Sequence, residues 1–101
     1  MITLKKYPNR RIYDTSISRY ITLDDVRDMI SSGEVFNVVD SRSGVDLTRA
    51  TLLQILFDIE SEKQFALLSQ HALASLIRLH SSPDKAKFAP VIEQLLNMSD
   101  D

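Results

Sequence analysis

The sequence predicts an α+β fold, with a short N-terminal antiparallel β-ribbon or sheet, an inserted helix and a helical C-terminal half. Three observations carry this expectation. Apolar and polar side chains alternate through Ile2-Thr3-Leu4-Lys5-Lys6-Tyr7 and again around Ile12 and Tyr13, the period of a half-buried strand. Leu52, Ile55, Leu56 and Ile59 recur at i, i+3, i+4 and i+7, the spacing of an amphipathic helix. After the polar junction Ser61-Glu62-Lys63-Gln64 the patterning is purely helical. Residues 1–62 are therefore expected to form a β-ribbon with two helices, and residues 63–101 a helical segment.

Taken in order, Ile2, Leu4 and Lys6 share one face of the first strand, while Thr3, Lys5 and Tyr7 share the other. Pro8-Asn9 is a turn signal, and the second run sets Ile12 with Arg10, and Arg11 with Tyr13. Thr22 and Asp25 form a capping box with the shorter acid, Ile21 and Val26 a hydrophobic staple, and Asp24, Asp25 and Asp28 suit the positive end of the helix. Val26, Met29 and Ile30 make its buried stripe, and Gly33 is placed to end it in the left-handed conformation. Val35-Phe36-Asn37-Val38-Val39 reads as a strand, Ser41–Gly44 as a turn and Val45-Asp46-Leu47 as a short partner strand. Thr48 is expected to cap a second helix, with Leu47 and Leu52 as its staple. Ser69 caps a third helix with the stripe Leu73, Leu76, Ile77 and His80. Ser82-Pro83 starts a fourth, whose face is Ala86, Ala89, Ile92, Leu95 and Leu96, with Pro90 set to kink or split it.

Composition narrows the function classes. With 101 residues and 44% hydrophobic side chains, the chain has material for a real core. No apolar run approaches the ~20 residues of a membrane span, and Ile2 and Leu4 alternate with polar residues where a signal peptide would be continuously apolar. No cysteine exists to build a disulfide or a cysteine-based zinc site, so the cytoplasm is the expected compartment. The formal net charge of −2 conceals an asymmetry. Residues 1–21 hold Lys5, Lys6, Arg10, Arg11 and Arg19 against Asp14 alone, whereas the remainder holds seven bases and thirteen acids. Binding responds to the local field over a screening length of about 8–10 Å, so the basic segment rather than the whole-chain charge is what a phosphate backbone meets.

Lysines on edge strands commonly serve to block aggregation. Here, though, two Lys and two Arg bracket a Tyr-Pro-Asn turn, with Tyr13, Arg19 and Tyr20 nearby. Arginine offers a planar fork to phosphate or guanine, asparagine can read adenine, and a two-stranded ribbon fits the major groove. Lys5, Lys6, Tyr7, Asn9, Arg10, Arg11, Tyr13 and Arg19 are the candidate DNA-binding set, the lysines on phosphates and Asn9, Arg10 and Arg11 at base edges. Tyr20, beside Ile21, is expected to be the buried tyrosine. Arg49 reads as an ordinary surface arginine.

Catalytic constellations are missing from the sequence. His71 and His80, nine residues apart, fall on opposite helix faces and have no third ligand at metal-site spacing. Ser69 with His71 is a weak pair, two glycines cannot make a phosphate loop, and the Asp24, Asp25 and Asp28 group reads as a solvated helix start. Neither an enzyme nor a metal or cofactor site is expected.

The run Leu4-Lys5-Lys6-Tyr7-Pro8-Asn9-Arg10-Arg11-Ile12-Tyr13-Asp14-Thr15, followed by Ser18-Arg19-Tyr20-Ile21-Thr22-Leu23, closely resembles the N-terminal domain of the polyhydroxyalkanoate (polyhydroxybutyrate) synthesis repressors, also called accumulation regulators. The resemblance continues through Phe36–Asp40, Ser43–Arg49 and Leu52–Ile55, with a weaker match at Leu67-Leu68-Ser69 and Leu76-Ile77-Arg78. Val45 stands where the family often has an acidic residue. The resemblance implies a transcriptional repressor whose N-terminal domain binds promoter DNA, and which the polyester draws off DNA so that granule-associated genes are expressed. Its implied partners are double-stranded DNA and polyhydroxyalkanoate granules. A homodimer is expected because paired half-sites raise affinity, with Leu73, Leu76, Ile77, Ile92, Leu95 and Leu96 as oligomerisation or polymer contacts. The rival expectation is a granule-surface or protein-interaction module without sequence-specific DNA binding.

Overall fold

The computed structural model describes residues 1–97. Elements run in the order β1 (Ile2–Lys6), β2 (Ile12–Asp14), β3 (Arg19–Ile21), α1 (Leu23–Ser31), β4 (Phe36–Asp40), α2 (Thr48–Glu60), α3 (Gln70–His80) and α4 (Lys85–Asn97). The chain divides into two compact units, Met1–Phe65 and Ala66–Asp101. Among the described residues no helix is long and apolar enough to cross a membrane.

In the first unit the four strands make one sheet in the order β3-β2-β1-β4. β1 and β2 form the expected antiparallel ribbon, and β3, which the sequence reading did not identify as a strand, pairs antiparallel with β2. α1 then carries the chain back across the sheet, so β4 joins β1 in parallel, Ile2 opposite Phe36 and Lys6 opposite Asp40. Register fixes the faces. Leu4, Ile12 and Val38 point to one side, where they meet Val26 of α1 and Ile55 of α2 in the hydrophobic core. The other side carries no helix residue of that core.

The start of α1 follows its sequence signal. Thr22 accepts from the Asp25 amide (3.2 Å), and the Asp25 carboxylate accepts from the Thr22 amide (2.8 Å). Gly33 lies just past the helix at φ 76°, as its freedom from a β-carbon allows. Of the expected stripe, Val26 is buried, Met29 half-buried and Ile30 exposed.

Three expectations about β4 and α2 are corrected. Val45–Leu47 does not form a strand: only a single bridge joins Asp46 to Val39. The segment instead covers the free edge of β4, as the Asp40 amide donates to the Val45 carbonyl (2.8 Å) and the Leu47 amide to the Val38 carbonyl (2.7 Å). Thr48 is not the cap: it is the first helical residue, Leu47 occupies the cap position, and the Thr48 hydroxyl accepts from the Val38 amide (2.8 Å). The buried face of α2 is also rotated from the leucine stripe. Thr51 and Ile55 are buried and Leu47 and Ile59 pack on the core, an i, i+4 row, while Leu52, Leu53, Leu56 and Phe57 are exposed. Thr51 can occupy the core because its hydroxyl donates to the Leu47 carbonyl (2.8 Å).

In the second unit Ser69 caps α3 by accepting from the Ala72 amide (3.0 Å). Ser82 makes a turn before α4, accepting from the Asp84 amide (3.1 Å), and the helix begins at Lys85 rather than at Pro83. α4 runs through Pro90 without splitting. Pro90, the sixth residue of the helix, gives the Ala86 carbonyl no amide donor and crowds it with its ring. Neither α3 nor α4 buries a residue.

Candidate nucleic-acid interface

The turn between β1 and β2 organises the basic segment. The Tyr7 amide donates to the Arg11 carbonyl (2.9 Å) and the Arg10 amide to the Tyr7 carbonyl (3.1 Å). Pro8 pre-sets the backbone for the first turn position, and the Asn9 side-chain oxygen accepts from the Arg11 amide (3.2 Å). Arg10 closes the loop at φ 67°. This is the three-residue hairpin loop, a turn followed by one left-handed residue. Left-handed geometry costs a residue with a β-carbon about 1–2 kcal/mol, so glycine or asparagine ordinarily fills that place. An arginine held there is an outlier that points to a use for its side chain.

Lys5 and Lys6, neighbours in β1, face opposite ways, and Arg10 and Arg11 in the loop before β2 also divide, Arg11 over the Tyr20 ring and Arg10 on the cleft side. On the face turned away from α1 and α2 a row crosses all four strands: Tyr20, Tyr13, Lys5 and Val39. The Tyr13 and Tyr20 rings meet edge to face with centroids 5.2 Å apart, Tyr7 approaches Tyr20 at 5.9 Å, and the Arg11 guanidinium sits 4.1 Å over the Tyr20 ring. One row away the Thr3 hydroxyl donates to the Asn37 side-chain oxygen (3.0 Å). On the helix side, Lys6 and Arg10 open onto a cleft of about 420 Å³ with Gln54 and Asp58 on its far wall and Ile12 and Leu23 in its lining.

Among the described residues no carboxylate lies within ion-pair distance of Lys5, Lys6, Arg10 or Arg11. Asp58 receives the Gln54 amide instead (2.9 Å). Asp40, opposite Lys6 in the parallel register, is occupied by the turn that follows it. Its carboxylate accepts the Arg42 amide (2.8 Å) and the Ser43 amide (2.9 Å), and these backbone bonds, Ser43 first, hold its pKa below the ordinary value of 3.8. The cations therefore retain their hydrogen-bonding capacity toward an external anion.

The structure brings together Lys5, Lys6, Tyr7, Asn9, Arg10, Arg11 and Tyr13 at one end of the sheet, but not Arg19. Arg19 pairs with Asp14 at the far end of the ladder and shares a depression with Asp14, Asp25 and Glu34. Asn9 is already engaged in building its turn.

Two residues escaped the sequence reading. Tyr20 is not the buried tyrosine: it is 49% exposed and is the ring on which Tyr7, Tyr13 and Arg11 converge. The signal was the alternation itself, since only one of Tyr20 and Ile21 can face the core and Ile21 packs there. Arg42 was read as part of an ordinary turn, yet the Ser41 amide donates to the Lys6 carbonyl (2.9 Å), which sets this turn beside the basic hairpin. No sequence period reports that proximity, because it depends on β4 pairing with β1.

A sequence model of the PHB/PHA accumulation regulator DNA-binding domain matches residues 3–63, which include the sheet, α1 and α2. An uncharacterized protein of Allochromatium vinosum is 47% identical over 95 residues, 94% of this chain and 61% of the relative. An "Uncharacterized protein in phbA 5'region" of Thiocystis violacea is 43% identical over 95 residues, again 94% of this chain and 68% of the relative. The chain thus spans only about two-thirds of the length of these curated relatives. No solved structure matches it. With its basic hairpin inside the matched segment, the chain belongs to the PHB/PHA accumulation regulator family, whose DNA-binding domain it carries at residues 3–63.

Proposed function

We propose that the protein is a cytoplasmic, homodimeric transcriptional repressor that binds double-stranded promoter DNA through the β1–β2 hairpin. It controls polyhydroxyalkanoate synthesis and granule-associated genes, and leaves DNA when the polyester binds. The observation that carries the DNA reading is the group of four cations around one turn, without carboxylate partners among the described residues, on a body that is otherwise acidic. Free cations exchange their counterions for phosphates, a reaction that paired cations undergo poorly. The rings of Tyr7, Tyr13 and Tyr20 give the same end of the sheet flat apolar surface for sugars and bases. The family match supports the same role. In a fluorescence-anisotropy titration on promoter DNA, Arg10→Asn with Arg11→Gln is expected to weaken binding at least tenfold. Unchanged affinity would remove the hairpin from the interface.

A second reading, a granule-surface module, is favoured by one observation: no residue of α3 or α4 is fully buried, and Leu73, Ile77, Ile92, Leu95 and Leu96 stand exposed beside the half-buried Leu76. Apolar helix faces left uncovered in one chain are contacts for a second copy or for polymer. Full-length Ile77→Ser with Leu95→Ser separates the roles. Dimerisation predicts a monomer by sedimentation and weaker DNA binding, whereas pure polymer contact predicts an unchanged mass and loss of granule association.

A further inference from the structure

The cleft between the hairpin and α2 is unexplained by a sheet that docks one face on DNA. Lys6 and Arg10 open into it, on the side opposite Lys5 and Arg11, and have no carboxylate partner among the described residues. For the two lysines this division follows from strand geometry. Lys5 and Lys6 are neighbours in β1, Lys5 opposite Tyr13 and Lys6 opposite Ile12, and so must project to opposite faces. Arg10 and Arg11, in the loop before β2, also separate, Arg11 over the Tyr20 ring and Arg10 into the cleft. The hairpin therefore carries two cations on each side.

A single anionic surface would meet only one side. A duplex groove, by contrast, is bounded by two phosphate backbones, and a major groove about 12 Å wide admits a two-stranded ribbon. Building on the DNA-binding reading above, we infer that the hairpin enters the groove edge-on and tip first, Lys5 and Arg11 facing the phosphates of one strand. Lys6 and Arg10 face those of the other, whose backbone lies along the cleft toward Gln54. The left-handed backbone at Arg10 belongs to this account: it turns that side chain into the cleft, where a relaxed glycine would leave one cation on the helix side. Asp58 is the group that opposes a phosphate there. It accepts from the Gln54 amide and lines the same cleft as Lys6 and Arg10.

The test is the salt dependence of binding by the full chain, together with ethylation interference on the wild-type complex. Each neutralised phosphate contributes about 0.9 to the log–log slope. Lys5→Gln with Arg11→Gln and Lys6→Gln with Arg10→Asn are each expected to lower the slope by about 1.8, two phosphates per face. Ethylation is expected to interfere on both strands of one major groove, and the Lys6/Arg10 variant to lose interference on one strand only. Asp58→Asn is expected to tighten binding roughly twofold, the effect of one unit charge about 10 Å from a phosphate across water. A slope untouched by the Lys6/Arg10 variant, or wild-type interference confined to one strand, would overturn edge-on entry while leaving DNA binding intact. Wild-type protein that shows no salt-dependent DNA binding would overturn both. The wild-type interference pattern decides the point even if a double variant fails to fold.

Discussion

The Arg11 guanidinium lies 4.1 Å above the centre of the Tyr20 ring, joining the hairpin turn to the outermost strand of the sheet. The contact is local in space but crosses from the start of β2 to β3, so it fixes a long side chain that would otherwise sample many rotamers. A cation over a ring at a half-exposed site contributes about 0.5–1 kcal/mol. Tyr20→Phe keeps the ring and is expected to leave stability and DNA affinity nearly unchanged. Tyr20→Ala is expected to cost about 0.5–1 kcal/mol beyond the lost packing. A double-mutant cycle with Arg11→Ala, followed by urea unfolding, measures that coupling directly. A coupling of zero would reduce the contact to coincidence.

Arg10 gives an opposite sign for stability and for binding. Glycine accepts φ 67° without strain, so Arg10→Gly is expected to hold or raise the melting temperature while weakening DNA binding. Arg10→Ala keeps the β-carbon and is expected to bind as poorly as glycine but to melt lower. Thermal unfolding of the three proteins checks the order, and a glycine variant less stable than alanine would refute the strain.

Thr48 links helix to sheet. Its hydroxyl accepts from the amide of Val38, whose side chain is fully buried, and Thr48→Val keeps the shape while leaving that amide without a partner. An unsatisfied buried donor costs about 1–3 kcal/mol. Thr48→Ser is expected to recover most of the loss. Urea midpoints of the two variants report it, and equal midpoints would show that the amide finds another partner.

Acid should weaken the turns on either side of β4's covered edge. Asp40 is held below 3.8 by the Ser43 and Arg42 amides, and Asp46 below 3.8 by the Thr48 amide and hydroxyl. Because each pKa is depressed in the folded state, the contribution is fully present above about pH 4 and is lost as pH falls through the folded values. Urea midpoints are therefore expected to be flat from neutral pH to about pH 5 and to decline below pH 4. Asp40→Asn, which keeps an acceptor but cannot titrate, is expected to flatten part of that decline; an unaltered acid limb would argue against the assignment.

Local chemistry made much of this architecture legible. The Thr22–Asp25 capping box, the Gly33 stop, the Ser69 cap and the facing of Leu4 and Ile12 all depend on interactions within a few residues or on the parity of a strand, which a sequence displays directly. The stripe on α2 was misread because hydrophobicity does not say which neighbour a helix will meet. Thr51 is inside, since a backbone carbonyl four residues earlier satisfies its hydroxyl, and Leu52 and Leu56 are outside.

By itself the sequence determined the α+β class, the concentration of positive charge at the N-terminal hairpin and, through a distinctive twelve-residue run, the family. Only the tertiary structure decided that β4 pairs in parallel with β1, that Thr48 braces the sheet edge and that Tyr20 belongs to the exposed ring cluster. It also decided that the four cations stand two to a face. The physical reason is range. Turns, caps and strand parity are set by covalent neighbours, whereas strand partners and helix orientation are settled by which apolar surfaces exclude water together.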